Sequence, residues 1–259
     1  RKRKKTNKDQ HIAAHYPSLF LASDMAEATD FRVETAISAD VPAWVTVCGQ
    51  LAPLISILVF LAPIPTMQQI KREKTVGGKP LLPYSSMIAN CLICVVYGFL
   101  KSEPKIMAPN SIGLLLGTYY FTAFRRHVSM DAANLPGTAS QHWNGLVIFI
   151  TFILLVATTL TKDLAVEFMG KLGILICMIM FASPLSTMKV VIETKSADSI
   201  PLPFTIACVI NCVLWSVVGV LDMNDFNIYF PNLAGLAAGS AQLVLKGLYG
   251  NRKSRQLPV

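Results

Sequence analysis

From Pro42 onward the chain is a series of apolar runs long enough to cross a membrane, and this pattern limits its fold more than any other feature. The runs are Ala43–Met67, Pro83–Leu100, Met107–Phe124, Trp143–Leu160, Phe168–Ile192, Pro201–Leu221 and Phe230–Leu248. A bilayer-crossing helix needs roughly 20 apolar residues, so seven crossings take about 140 residues and leave little for soluble domains. The runs end on charges or breakers such as Lys71-Arg72-Glu73-Lys74, Ser102-Glu103-Pro104, Arg125-Arg126 and Lys162-Asp163. Composition agrees: 53% of the residues are hydrophobic, 15% are charged, and the mean hydropathy is +0.50. A soluble globular chain carries about 25% charged residues. An ordinary soluble domain, a disordered chain and a nucleic-acid binder with a charged surface are excluded. The expected fold class is an all-α membrane protein with seven transmembrane helices.

Residues 1–41 differ from the rest. They open RKRKKTNKDQ, hold Asp24, Glu27, Asp30 and Glu34, and contain no run long enough to span. They read as a disordered extramembrane arm, and the lack of an initiator Met marks a fragment or a processed form. The formal charge of +8 raises the question of where the positives lie. Lys71, Arg72, Lys74, Lys79, Arg125, Arg126, Lys189, Lys195, Lys246, Arg252, Lys253 and Arg255 fall on one set of alternate loops and the C-terminal tail. Only Lys101, Lys105, Lys162 and Lys171 fall on the other set. The bias predicts a cytoplasmic C-terminus and an external N-terminus, most simply in the plasma membrane. The basic residues at the start of the arm lie too far from the first span to reverse it. The cysteines Cys48, Cys91, Cys94, Cys177, Cys208 and Cys212 all sit in apolar runs and read as packing, not as disulfides or a zinc site.

The chain repeats itself. LAPIPTM (61–67), LP (82–83), NCLICVVYG (90–98) and PN (109–110) recur in the same order as ASPLSTM (182–188), IP (200–201), NCVLWSVVG (211–219) and PN (231–232). Each half is a three-helix unit, and the fourth run joins them. One linking span gives both units the same orientation, so they are parallel repeats about an axis along the membrane normal, with a substrate site expected near the midplane between them. The expected organisation is arm 1–41, first repeat 42–124, loop and linker helix 125–162, second repeat 163–250 and cytoplasmic tail 251–259, a 3+1+3 plan.

These residues resemble the SWEET sugar transporters, the saliva-type, PQ-loop-related family. The resemblance covers about residues 43–250 and rests on FLAP (60–63), LPY (82–84), NCL with a downstream YG (90–98), ASPLSTMKVVIETKSADSIP (182–201) and the two Pro-Asn pairs. It implies a bidirectional, uncoupled sugar uniporter working by alternating access, with mono- or disaccharide substrate, lipid bilayer and homo-oligomer partners, and no cofactor. Asn110 and Asn232 then match the family's sugar-binding asparagines; an amide donates and accepts at once, as sugar hydroxyls do. Cys94 and Trp215, equivalent in the repeat, match positions that face the sugar. The indole is expected to stack on a pyranose and offer its N–H, whereas the thiol is a weaker donor than the small hydroxyl residue more familiar there. Asn90 and Asn211 read as interhelical hydrogen bonds. Pro63, Pro83, Pro184 and Pro201 match the family's proline tetrad, read as kinks that act as hinges near the cytoplasmic side. Tyr97 and Asp225 resemble the extracellular gate pair, with Asp222 a nearby competitor. The bulk of Trp215 favours a monosaccharide such as glucose over sucrose.

No apolar run carries Asp, Glu, Arg or His at mid-depth, which argues against proton or sodium coupling. The alternatives are a seven-helix receptor, with Lys246 as a retinal lysine, and a channel-like protein without carrier activity. The 3+1+3 duplication disfavours the receptor. An enzyme is not expected: there is no Ser-His-Asp set, metal cluster, Walker loop or paired carboxylate, and Cys91-x-x-Cys94 lies in an apolar run. Nucleic acid is not an expected partner.

Overall fold

The structure is a computed structural model that describes residues 41–128 and 137–250, so the N-terminal arm and the C-terminal tail with Arg252, Lys253 and Arg255 lie outside the described residues. Within these bounds the regular structure is helical throughout: α1 (Ala43–Leu61), α2 (Ile64–Glu73), α3 (Leu82–Lys101), α4 (Pro104–Arg125), α5 (Ala139–Thr159), α6 (Lys162–Met180), α7 (Ala182–Thr194), α8 (Leu202–Leu221) and α9 (Phe226–Tyr249). The helices make seven spans, because α1–α2 and α6–α7 are single rods with a break near the middle. At 31 and 33 residues these rods are about 45–50 Å long, more than a bilayer core needs, so their ends project from it. Six spans are both long and apolar enough to cross a membrane. The remaining one, α4, has the length at 22 residues but carries Asn110, Ser111, Thr118 and Thr122. It packs between two neighbours, so less of it must satisfy lipid.

Local chemistry sets the helix starts earlier than the apolar runs predict. Thr138 caps α5 in a capping box with Gln141, with bonds of 2.8 and 3.3 Å, four residues and more before Trp143. Asp225 caps α9 by accepting from the Asn227 N–H at 3.0 Å. Pro104 opens α4, where its missing N–H would have had no partner. As a result Pro109 and Pro231, expected at helix entries, lie inside α4 and α9. The chain leaves α2 and α7 in the same way, through Lys74 at φ 55° and Lys195 at φ 54°, both in the left-handed region.

The tetrad prolines divide into two kinds. Pro63 sits at the α1–α2 break and Pro184 in the first turn after the α6–α7 break. Pro83 lies in the first turn of α3 and Pro201 just before α8, where proline is tolerated without a kink. Only the first pair interrupts a span, which corrects the expectation of two kinked helices per repeat.

In each repeat the third helix packs against both others: α4 against α1, α2 and α3, and α9 against α6, α7 and α8. The repeats meet through two equivalent contacts, α1 with α8 and α3 with α6, while α5 rests on α3 and more lightly on α6. Phe99, Leu115, Ile148 and Leu155 are each more than half exposed, a surface suited to lipid and not to water. Gly219 lets α8 and α9 approach: a Cβ there would lie 2.8 Å from the Tyr229 amide nitrogen and 2.9 Å from its Cβ. Its counterpart Gly98 meets the Met107 amide nitrogen at 3.0 Å.

Because those neighbours are backbone, Gly219→Ala is expected to cost about 1–3 kcal/mol of stability. Gly145→Ala, which faces nothing within 4 Å, should be neutral. Thermal melting of the two variants in detergent, followed by size-exclusion chromatography, checks the difference, and equal melting temperatures would refute it.

Candidate functional site

A cavity of about 220 Å³ lies between the repeats and is lined from both of them. Asn110 (α4) and Asn232 (α9) are equivalent in the two repeats, as are Cys94 (α3) and Trp215 (α8), and all four line the cavity. Each repeat-related asparagine donates one amide hydrogen to the carbonyl a turn back, Asn110 to Ile106 at 2.8 Å and Asn232 to Ile228 at 2.7 Å. That fixes the amide and leaves its second N–H and its oxygen for a ligand. Among the described residues, no Asp, Glu, Lys, Arg or His lines the cavity.

A hydrogen-bonded relay braces one wall. The Trp215 indole N–H donates to Ser56 Oγ at 2.8 Å, and the Ser56 hydroxyl lies 2.7 Å from Asn211 Oδ1 and 3.0 Å from the Ala52 carbonyl, either of which can accept its proton. The indole N–H is therefore engaged within the protein, contrary to the expectation that it serves a ligand; its buried ring remains as cavity wall. Across the interface the Cys177 thiol donates to Asn90 Oδ1 at 3.4 Å. Cys177 stands 121 positions after Ser56, as Asn211 does after Asn90, so the two bonds are repeats of each other. Both asparagines thus join helices, as read from sequence, while Ser56 and Cys177 were not singled out. A Ser or Cys inside an apolar run carries no signal alone; the shared spacing was the signal available.

One end of the cavity is shut. The Tyr97 hydroxyl donates to Asp225 Oδ2 at 2.7 Å, Lys101 Nζ lies 2.5 Å from the same oxygen, and the Asn227 amide donates to the Tyr97 hydroxyl at 3.2 Å. Asp225 is almost fully buried, and these bonds tie α3 of the first repeat to the α8–α9 corner of the second. Asp222, the competitor for this position, pairs instead with Lys105 at 2.6 Å nearer the surface. Lys101 and Lys105 are the members of this cluster that sequence reading assigned only to topology. The six cysteines are all free.

A family model described as "sugar efflux transporter for intercellular exchange" matches residues 46–128 and again 167–254, once on each repeat. The chain belongs to this family. The SWEET proteins similar to it include the bidirectional sugar transporter SWEET15 of Oryza sativa subsp. indica, 29% identical over 84% of this chain and 68% of that protein. SWEET14 of Arabidopsis thaliana is 31% identical over 76% of this chain and 70% of that protein, and the sugar transporter SWEET1 of Dictyostelium discoideum is 29% identical over 76% and 90%. A eukaryotic SWEET transporter solved at 3.7 Å superposes with a TM-score of 0.72 and 25% identity, over 80% of this chain and 97% of that one. The SWEET match stops and resumes around the span α5, the linker of the 3+1+3 plan.

The relay makes Ser56 a structural part of the SWEET cavity. Ser56→Ala strands the Trp215 N–H and removes the donor to Asn211, an expected loss of about 1–3 kcal/mol. Ser56→Cys, which copies the second repeat, should retain most of the stability. Melting curves of the two variants check this; an unchanged Ser56→Ala would show that the relay adds nothing.

Proposed function

We propose that this chain is a bidirectional, uncoupled sugar uniporter of the integral-membrane SWEET type, working by alternating access and preferring a monosaccharide such as glucose. The observation that carries the reading is the cavity between the repeats, lined by amides from both repeats and an aromatic face and, among the described residues, by no carboxylate, imidazole or cation. Paired amides match the mixed donor and acceptor character of sugar hydroxyls, and Trp215 offers a face to the C–H side of a pyranose. Uncoupled transport is supported by the lack, among the described residues, of a carboxylate or imidazole in the cavity lining. A ring-sized space walled by Trp215 favours one pyranose over two. The relatives named as sugar transporters support the substrate class.

Alternating access is supported by the Tyr97–Asp225–Lys101 cluster, which seals one end, and by the breaks at Pro63 and Pro184, where the first span of each repeat can bend. The positive bias favours a cytoplasmic Lys74/Lys195 end and an extracellular Tyr97–Asp225 gate. A C-terminal epitope reached by antibody only after permeabilisation checks that orientation.

Radiolabelled uptake and efflux in a transport-deficient cell, comparing glucose, fructose and sucrose with and without a protonophore, test the reading. Glucose should move faster than sucrose, in both directions, and the protonophore should not change it. Asn110→Ala and Asn232→Ala each lose amide bonds worth about 0.5–1.5 kcal/mol apiece, so flux should fall by roughly tenfold or more while the protein remains inserted. Alanine at Pro63 and Pro184 together should leave little transport. Normal flux in both asparagine variants would overturn the binding assignment, normal flux in the double proline variant would overturn the hinge role, and the absence of any sugar flux would overturn the function.

A further inference from the structure

The two repeats share one scaffold but fill it differently. Equivalent contacts fix their register. In the first repeat a Cβ on Gly113 would strike Cys91 Sγ and the Phe60 ring, each at 2.7 Å; in the second, a Cβ on Gly235 would strike Cys212 Sγ at 2.8 Å and the Phe181 ring at 3.1 Å. Four residues further along, Gly117 faces Ile88 at 3.1 Å and Gly239 faces Val209 at 2.6 Å. The same register makes Tyr84 equivalent to Thr205, Met87 to Cys208, Leu116 to Ala238 and Tyr120 to Gln242.

In the first repeat these positions are packed solid. Tyr84 and Tyr120 are buried with ring centroids 6.1 Å apart in a cluster with Met67, Ile70, Leu81 and Phe124, and the Tyr120 hydroxyl is consumed by the Phe60 carbonyl at 3.0 Å. In the second repeat the smaller, more polar set leaves a cavity of about 360 Å³ among α7, α8 and α9. It adjoins the central cavity, with which it shares Phe181, Asn211 and Cys212, and it extends toward Ser199 and Gln242, away from the Asp225 end. Gln242 spends one amide hydrogen on the Pro184 carbonyl at 3.4 Å, which leaves its other N–H and its oxygen. Thr205 donates to the Pro201 carbonyl at 3.2 Å and keeps its lone pairs as acceptors. Hydroxyls and amides beside the rings of Phe181 and Phe204, with no charged lining residue among those described, suit an uncharged polyhydroxylated ligand and offer no cation to pair a phosphate or a carboxylate.

We propose that the second repeat carries a separate subsite in this cavity that holds one hexose ring outside the central site. The proposal rests on the sugar-carrier reading above. It makes the path asymmetric: a sugar that leaves the central cavity away from Asp225 rebinds along the second repeat, while the first repeat presents a filled wall.

Cys208 lines the new cavity and not the central one, so it reports occupancy of the subsite. Full-length protein is treated with a small methanethiosulfonate reagent at increasing glucose, modification of Cys208 is read by peptide mass spectrometry, and glucose uptake is measured in parallel. A ligand over the thiol slows labelling by 1 + [L]/Kd, about fourfold at three times Kd. That slowing is expected in the native protein and in Asn110→Ala, whose central site is disabled. It should vanish in Ala238→Leu, which restores the first repeat's residue, and in Gln242→Leu, which keeps bulk and removes the amide; glucose uptake by either shows that it is folded. Unslowed labelling in native protein that takes up glucose would overturn the subsite alone, as would slowing that disappears in Asn110→Ala. Native protein with neither uptake nor slowing would remove the carrier reading and the subsite with it.

Discussion

Everything in this molecule depends on the need to satisfy backbone hydrogen bonds where no water is available. In a bilayer each unpaired N–H or C=O costs several kcal/mol, so the spans must be helices, and a departure from regular helix is tolerated only against protein or a cavity. The breaks in α1–α2 and α6–α7 obey that rule. Around the first, the Met67 N–H finds the Pro63 carbonyl at 3.0 Å, and around the second the Leu185 N–H finds the Phe181 carbonyl at 3.1 Å. Pro109 and Pro231 interrupt the ladder inside α4 and α9, and each precedes an asparagine that bonds back to its own helix and faces the cavity. The irregularities and the cavity asparagines therefore coincide.

The interface between the repeats is apolar over much of its area but carries hydrogen bonds at chosen points, for a related reason. Lipid gives little hydrophobic reason for helices to associate, so hydrogen bonds and close backbone contacts hold them. The Ser56–Asn211 and Cys177–Asn90 bonds join α1 to α8 and α6 to α3 at equivalent points. Gly98 and Gly219 do the corresponding work within each repeat, where the second and third helices come closest. Trp215 breaks the symmetry: its counterpart is Cys94, so one wall carries a bulky ring anchored by Ser56 and the other a small thiol.

The Asp225 cluster shows how a charge is kept inside such a protein. Its carboxylate is capped by the Asn227 N–H, bonded by Tyr97 and paired with Lys101, so little of its charge is left uncompensated. Removing any one of these partners would leave a buried charge less compensated, which costs far more than losing a surface ion pair worth about 0–1 kcal/mol. Yet the cluster joins helices of different repeats, so relative motion of the repeats breaks it as a unit. Lys105–Asp222, further out and more exposed, adds less.

The sequence by itself determined the number of spans, the 3+1+3 duplication and the family, because lipid forces apolar length and because a polar loop such as that in 182–201 matches only by descent. It also picked out Asn110, Asn232, Cys94 and Trp215, which line the cavity, since the duplication pairs these positions and the family resemblance marks them. Tertiary structure decided what the labels could not. Capping by Thr138 and Asp225 moved helix starts outward from the apolar runs, because a helix begins where its first amides find partners and not where hydrophobicity begins. It turned the Trp215 N–H inward to Ser56, enlisted Lys101 for Asp225, and placed Pro83 and Pro201 at helix starts. It also showed that Tyr84 and Tyr120 fill in one repeat a space that Thr205 and Gln242 leave open in the other. The Trp215–Ser56 and Lys101–Asp225 bonds depend on side chains that meet across more than 100 residues of chain, and a helical pattern fixes a residue's face without fixing its partner.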